Sequence, residues 1–140
     1  MAISVISGAK IVELLGEPKG CPITMTVSNA TAIGKGSLLK LSDPRTAAQG
    51  TARTDKFAGI AAADKEASDG STKLAVWTKG IFDLPIVNAV TAGVLVSMSG
   101  ANQIDLAAAT DVENGLVVGK ALESFAGGSE EFIMVAVGMY

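Results

Sequence analysis

KLAVWTKGIFDLP, residues 73–85, decides the reading of the chain. Leu74, Val76 and Thr78 fall on one parity; Ala75, Trp77 and Lys79 fall on the other. Period two over this length marks a half-buried strand. Gly80 breaks the run, Ile81-Phe82-Asp83-Leu84 resumes it, and Pro85 ends it. The stretch reads as one strand with a glycine-marked bulge or bend, crossing the middle of a β domain.

Outward from it, short β-like runs alternate with turn signals. Residues 21–27 (CPITMTV), 36–42 (GSLLKLS), 57–62 (FAGIAA), 86–90, 94–98 (VLVSM), 116–122 (LVVGKAL) and 131–137 (EFIMVAV) read as strands. Asp43-Pro44-Arg45 is a turn, residues 46–54 a polar connection, and 64–70 (DKEASDG) a solvated hairpin tip. Residues 107–115 are the one helical turn, capped by Thr110 or Asp111 and stopped by Asn114-Gly115. The expected class is all-β with a minor helix: a small barrel or sandwich.

The two halves resemble each other. Residues 32–42 match 89–99, with Ala32/Ala89, Ile33/Val90, Gly36/Gly93, Leu38/Leu95, Leu41/Met98 and Ser42/Ser99 in register. GIAA (59–62) matches GKAL (119–122). GSTKLAVWTKG (70–80) matches GSEEFIMVAVG (128–138), which pairs Leu74 with Phe132, Val76 with Met134 and Trp77 with Val135. One supersecondary unit is used twice, over about residues 32–80 and 89–138. Two or three strands alone cannot bury their faces, so the two units are expected to share one barrel. Within it Trp77 and Phe82, at the junction of the repeats, are core or subunit-contact residues.

Residues 1–20 differ from the rest. Ile3, Val5, Ile6, Ile11, Val12, Leu14 and Leu15 are apolar but follow neither period, and GEPKG (16–20) is a hinge by composition. Two readings stand level: a terminal strand docked on the core, or an extended arm whose apolar residues meet another chain. Residues 21–140 then form a single β domain.

The 140 residues contain no histidine and a single cysteine, Cys21. That removes the commonest general base and metal ligand, and any intrachain disulfide. Ser7, Ser42, Ser97 and Ser99 have no histidine base. Asp64, Glu66 and Asp69 lack the ligand order of a calcium loop. Asp83 reads as a partly buried acid in a turn hydrogen bond. No phosphate-cradling glycine loop is present, and the four Phe, one Trp and one Tyr are too scattered for a stacking platform. Net charge is -3, with basic residues placed singly, so no nucleic-acid partner is expected. No apolar run reaches the ~20 residues of a membrane span, and the N-terminus is a poor signal peptide. No cofactor, metal or enzyme activity is expected, and a soluble protein made in the cytoplasm is.

The order of elements resembles the capsid decoration, or cement, proteins of tailed bacteriophages. The residues that carry this are 57–85 (FAGIAAADKEASDGSTKLAVWTKGIFDLP), 89–104 (AVTAGVLVSMSGANQI), 117–124 (VVGKALES) and 134–138 (MVAVG). The resemblance implies a small β-rich homotrimer on the outer surface of the virion, binding the major capsid protein and reinforcing the mature shell. It also implies that the N-terminal arm touches the capsid. The alternative is another β-structural virion part, such as a tail or spike domain or a glycan-binding module.

Overall fold

A computed structural model describes residues 8–14 and 22–138. Residues 73–85 are two strands there, not one bent strand. Strand β6 (Lys73–Trp77) ends at Thr78-Lys79, and β7 (Gly80–Ile86) starts a new set of pairings. Gly80 has φ +151, and a Cβ there would meet the Phe82 ring at 2.9 Å. A glycine that begins a strand in this way separates two sheets instead of bending one.

The first unit comprises β2 (Ile23–Thr26), β3 (Leu38–Asp43), β4 (Thr46–Gln49), β5 (Phe57–Ala61) and β6. It closes as a barrel in the order β2-β4-β3-β5-β6. The second comprises β7, β8 (Leu95–Gly100), β9 (Gln103–Leu106), β10 (Val117–Ala121) and β11 (Glu131–Val137). Its order, β7-β11-β10-β8-β9 with β9 returning to β7, is the same ring. In each, one parallel pair closes the ring: Thr26 with Thr46, and Ile86 with Ile104. The all-β class, the minor helix and the two similar units are as the sequence indicates. The difference is that each unit closes a barrel of its own. β4 lies within the expected polar connection 46–54, and β2 and β7 were not counted in the repeat. Five strands can bury a common interior where three cannot.

Turn hydrogen bonds repeat with the strands. Ile33 and Lys65 exchange both backbone bonds, as do Val90 and Phe125. Gly36 N–H donates to Ala61, and Gly93 N–H to Ala121. Gly50 N–H donates to Leu38, and Ala107 N–H to Leu95. After Gly50 and Ala107 the loops differ. Residues 51–58 are three fewer than residues 108–118, and the longer loop holds α1 (Ala109–Glu113). Neither Thr110 nor Asp111 is its N-cap. Ala108 holds that place, and Asp111 sits at N3, where its carboxylate accepts the Ala108 N–H at 2.7 Å, the acidic half of a capping box.

The repeat register also moves by one. Ala62 N–H donates to Ala75 and Leu122 N–H to Met134, while Ile60 pairs with Trp77 and Lys120 with Ala136. Trp77 therefore corresponds to Ala136, and Val76 to Val135, not to Val135 and Met134. The Gly-Ser pair that opens both hairpins aligned the sequences one residue out. A one-residue slip turns every side chain to the other face.

Two clusters fill the interior. Met25, Val27, Leu39, Ala61, Leu74 and Val76 pack inside the first barrel. Phe82, Leu84, Val96, Met98, Val118, Ile133 and Val135 fill the second, and that cluster continues into Leu38, Ile60 and Trp77. These last three alternate with the inward Leu39, Ala61 and Val76, so they stand on the outside of the first barrel. They form one cross-strand row, since Leu38 pairs with Ile60 and Ile60 with Trp77. The outer wall of one barrel thus closes the interior of the other.

Candidate interaction surface

Strand β1 (Lys10–Leu14) crosses the seam between the barrels. Its lead residue Ala9 donates its N–H to Gly36 O of the first unit at 2.7 Å. From Lys10 onward it pairs antiparallel with β7, Lys10 opposite Asp83 and Leu14 opposite Gly80. It covers the half of β7 that β9 does not reach. A bulge at Val12 interrupts the register, a device that blunts an edge strand.

Of the seven apolar residues singled out near the N-terminus, Ile3, Val5, Ile6 and Leu15 lie outside the described residues. Leu14 packs against the second barrel's cluster. Ile11 and Val12 are 44% and 43% exposed. Over Lys10–Leu14 the segment is docked on this chain, and the two apolar side chains it leaves in solvent are Ile11 and Val12.

Trp77 and Phe82 are brought together across the junction, ring centroids 5.7 Å apart and tilted at 45°. Such a pair contributes ~0.5–1.5 kcal/mol beyond its buried area. Phe82 is fully buried and Trp77 is nearly so. Both belong to the core at the seam.

The exposed side of Trp77 lies at the floor of a pocket of about 390 Å³ between β1 and the Gly36 turn. Ala9, Lys10, Ile11, Lys35, Gly36 and Asp64 complete its walls. Gly36 has φ +90, and a Cβ there would lie 2.6 Å from Ala9 O. Only glycine permits both that conformation and that approach. Lys35 N–H donates to Asp64 Oδ1 at 2.7 Å, and Lys35 Nζ lies 5.8 Å from the centroid of Trp77. Lys10 Nζ lies 4.1 Å over the Phe132 ring. Sequence reading missed this pocket because its parts come from four separated stretches.

The carboxylates do structural work. Lys65, in the loop read as a solvated tip, is 4% exposed. Its ammonium donates to the carbonyls of Asn29, Thr31 and Glu66 at 2.8–3.0 Å and pairs with Asp69 at 3.5 Å. The loop is therefore stitched to the barrel rather than free, since a buried ammonium must be paired or hydrogen-bonded. Asp83 stands mid-strand on β7, half-buried, opposite Lys10 and Met134. It is not in a turn, because the strand continues through it.

Asp111 is the most connected acid. It is 5% exposed and accepts from Ala108 N–H, Ser97 Oγ–H and Arg53 Nη2. The Ala108 bond first, then Ser97 and Arg53, hold its carboxyl below the ordinary value against the opposing effect of burial. Arg53 also donates to Leu106 O at 2.8 Å and pairs with Asp105 at 3.6 Å. A loop of the first barrel is thereby strapped to the helix and β9 of the second. No group of three metal-ligating side chains occurs among the described residues, and Cys21 lies outside them.

Residues 18–137 match the family model described as phage cement protein. None of the curated proteins searched matches the chain.

Proposed function

We propose, because this chain belongs to the phage cement protein family, that it binds the major capsid protein on the outer surface of the shell and stabilises the mature particle. The family match over residues 18–137 carries this reading. Membership makes the chain a structural part of the virion. The finer assignment adds the partner, the outer face and a homotrimer as the bound form. Many weak contacts, repeated over a shell and linked within an oligomer, bind by avidity rather than through one tight site.

Residues 1–20 act as the capsid-contacting arm, and residues 21–140 as the β body that carries it. Ile11 and Val12 support this assignment. They are apolar, adjacent and exposed, on an edge strand already held at the surface. A partner would bury them without unfolding anything.

The test uses capsid shells of the phage that encodes this chain. The wild-type protein co-sediments with expanded shells and raises their disruption temperature. The double variant Ile11→Ser with Val12→Ser keeps its thermal transition and binds about tenfold more weakly, from the lost burial of two aliphatic side chains. If that variant binds like wild type, the arm assignment is wrong. If wild type ignores the shells, the function is wrong. Image reconstruction of decorated shells that shows single copies rather than groups of three would overturn the trimer.

A further inference from the structure

We infer that the pocket between β1 and the Gly36 turn receives a segment of the partner protein that presents a carboxylate beside an apolar side chain. The inference deepens the capsid-binding reading and rests on it.

The duplication supplies an internal control. The same turn exists in both units, with Gly36 and Gly93 at φ +90 and +96. Its backbone bonds are the same, Gly36 N–H to Ala61 O and Gly93 N–H to Ala121 O. Even the side-chain bond recurs: Lys35 N–H donates to Asp64, and Ala92 N–H donates to Ser124 Oγ at 2.9 Å. Ala92 thus stands where the first unit has Lys35, and Ala136 where it has Trp77. The second turn folds without a lysine or an indole. The fold does not require Lys35, which is exposed, and the ring floor is an addition to a scaffold that works without it.

What was added has a consistent chemistry. Lys35 brings an ammonium group to an apolar pocket in a chain whose net charge is -3. Among the described residues Lys35 pairs with no carboxylate, and its ammonium lies over the indole that lines the pocket. Asp64, the one acid in the wall, is engaged by the Lys35 N–H. An incoming carboxylate therefore meets the Lys35 ammonium, and an apolar side chain beside it meets Ile11 and the indole. Trp77 is fixed from behind by Phe82, so this surface needs no ordering when a partner arrives. Aromatic residues in a pocket with charge at the rim are the usual make-up of an interface hot spot.

The experiment measures affinity for expanded shells of the encoding phage with wild type, Lys35→Ala and Lys120→Ala. Lys35→Ala installs the residue the second unit already uses at this turn. Lys120→Ala removes one equal charge from an exposed position on the second barrel. The expected result is unchanged thermal transitions, a loss of about tenfold for Lys35→Ala, the size of one charge-assisted contact, and wild-type binding for Lys120→Ala. Raising the salt concentration weakens wild type more than Lys35→Ala. Wild-type affinity in Lys35→Ala, or equal losses in the two variants, overturns the pocket assignment while leaving the capsid reading standing. Absence of binding by wild type itself overturns both.

Discussion

Asp111 shows how one acid can hold two barrels in place. Its carboxylate takes a backbone N–H of its own helix, the hydroxyl of Ser97 on β8 and the guanidinium of Arg53 from the other unit. All three bonds favour the ionised form, and its folded pKa is depressed accordingly. A depressed carboxylate contributes stability that is present above its unfolded pKa and is lost as pH falls through the folded one. Asp111→Asn is expected to cost about 1–3 kcal/mol at neutral pH, the range for hydrogen bonds to a charged group and for orphaned partners. The gap between variant and wild type should narrow in acid. Urea denaturation at pH 7 and at pH 3 measures both. A gap that stays constant with pH would show that charge is not what the strap uses. The sequence marks Asp111 as a helix-start residue but gives no sign of Arg53, which lies far away in the chain and whose pairing depends on the closed barrels.

At the level of elements, β1 is held by a short list of contacts, and Gly36 is one of them. Gly36→Ala and Gly93→Ala force alanine into the same left-handed conformation, a cost of about 1–2 kcal/mol each. Only at position 36 does the added methyl meet Ala9. The variant at 36 should therefore be the less stable of the two, with faster hydrogen exchange along Lys10–Leu14. Exchange rates that match between the two variants would mean that β1 does not depend on this approach. The paired glycines were legible in the sequence because both units need positive φ at one turn. That only one of them is crowded was not legible, since the crowding strand belongs to neither unit.

For the whole molecule, the seam decides whether two barrels behave as one body. Leu38, Ile60 and Trp77 of the first barrel complete the cluster inside the second. The second core is not finished without the first barrel's outer wall, so a single unfolding transition is expected by calorimetry, with calorimetric and van't Hoff enthalpies equal. Ile60→Lys copies the second unit's Lys120, which is exposed. It places an ammonium in a closed apolar seam, a penalty of several kcal/mol, and should split the transition or lower it sharply. One unshifted transition would show that the seam contributes little. By itself the sequence determined the all-β class, the duplication, the turns and the family resemblance. Those features rest on local signals: period two, glycine at positive φ and turn dipeptides, each readable within a few residues. Tertiary structure alone decided that residues 73–85 divide into the last strand of one barrel and the first of the next. It also decided that each unit closes on itself, and that Trp77 faces its neighbour barrel and floors a lysine-flanked pocket. Ring closure and the facing of a row depend on pairings between distant strands, and a shift of one residue in register reverses which side chains are inside.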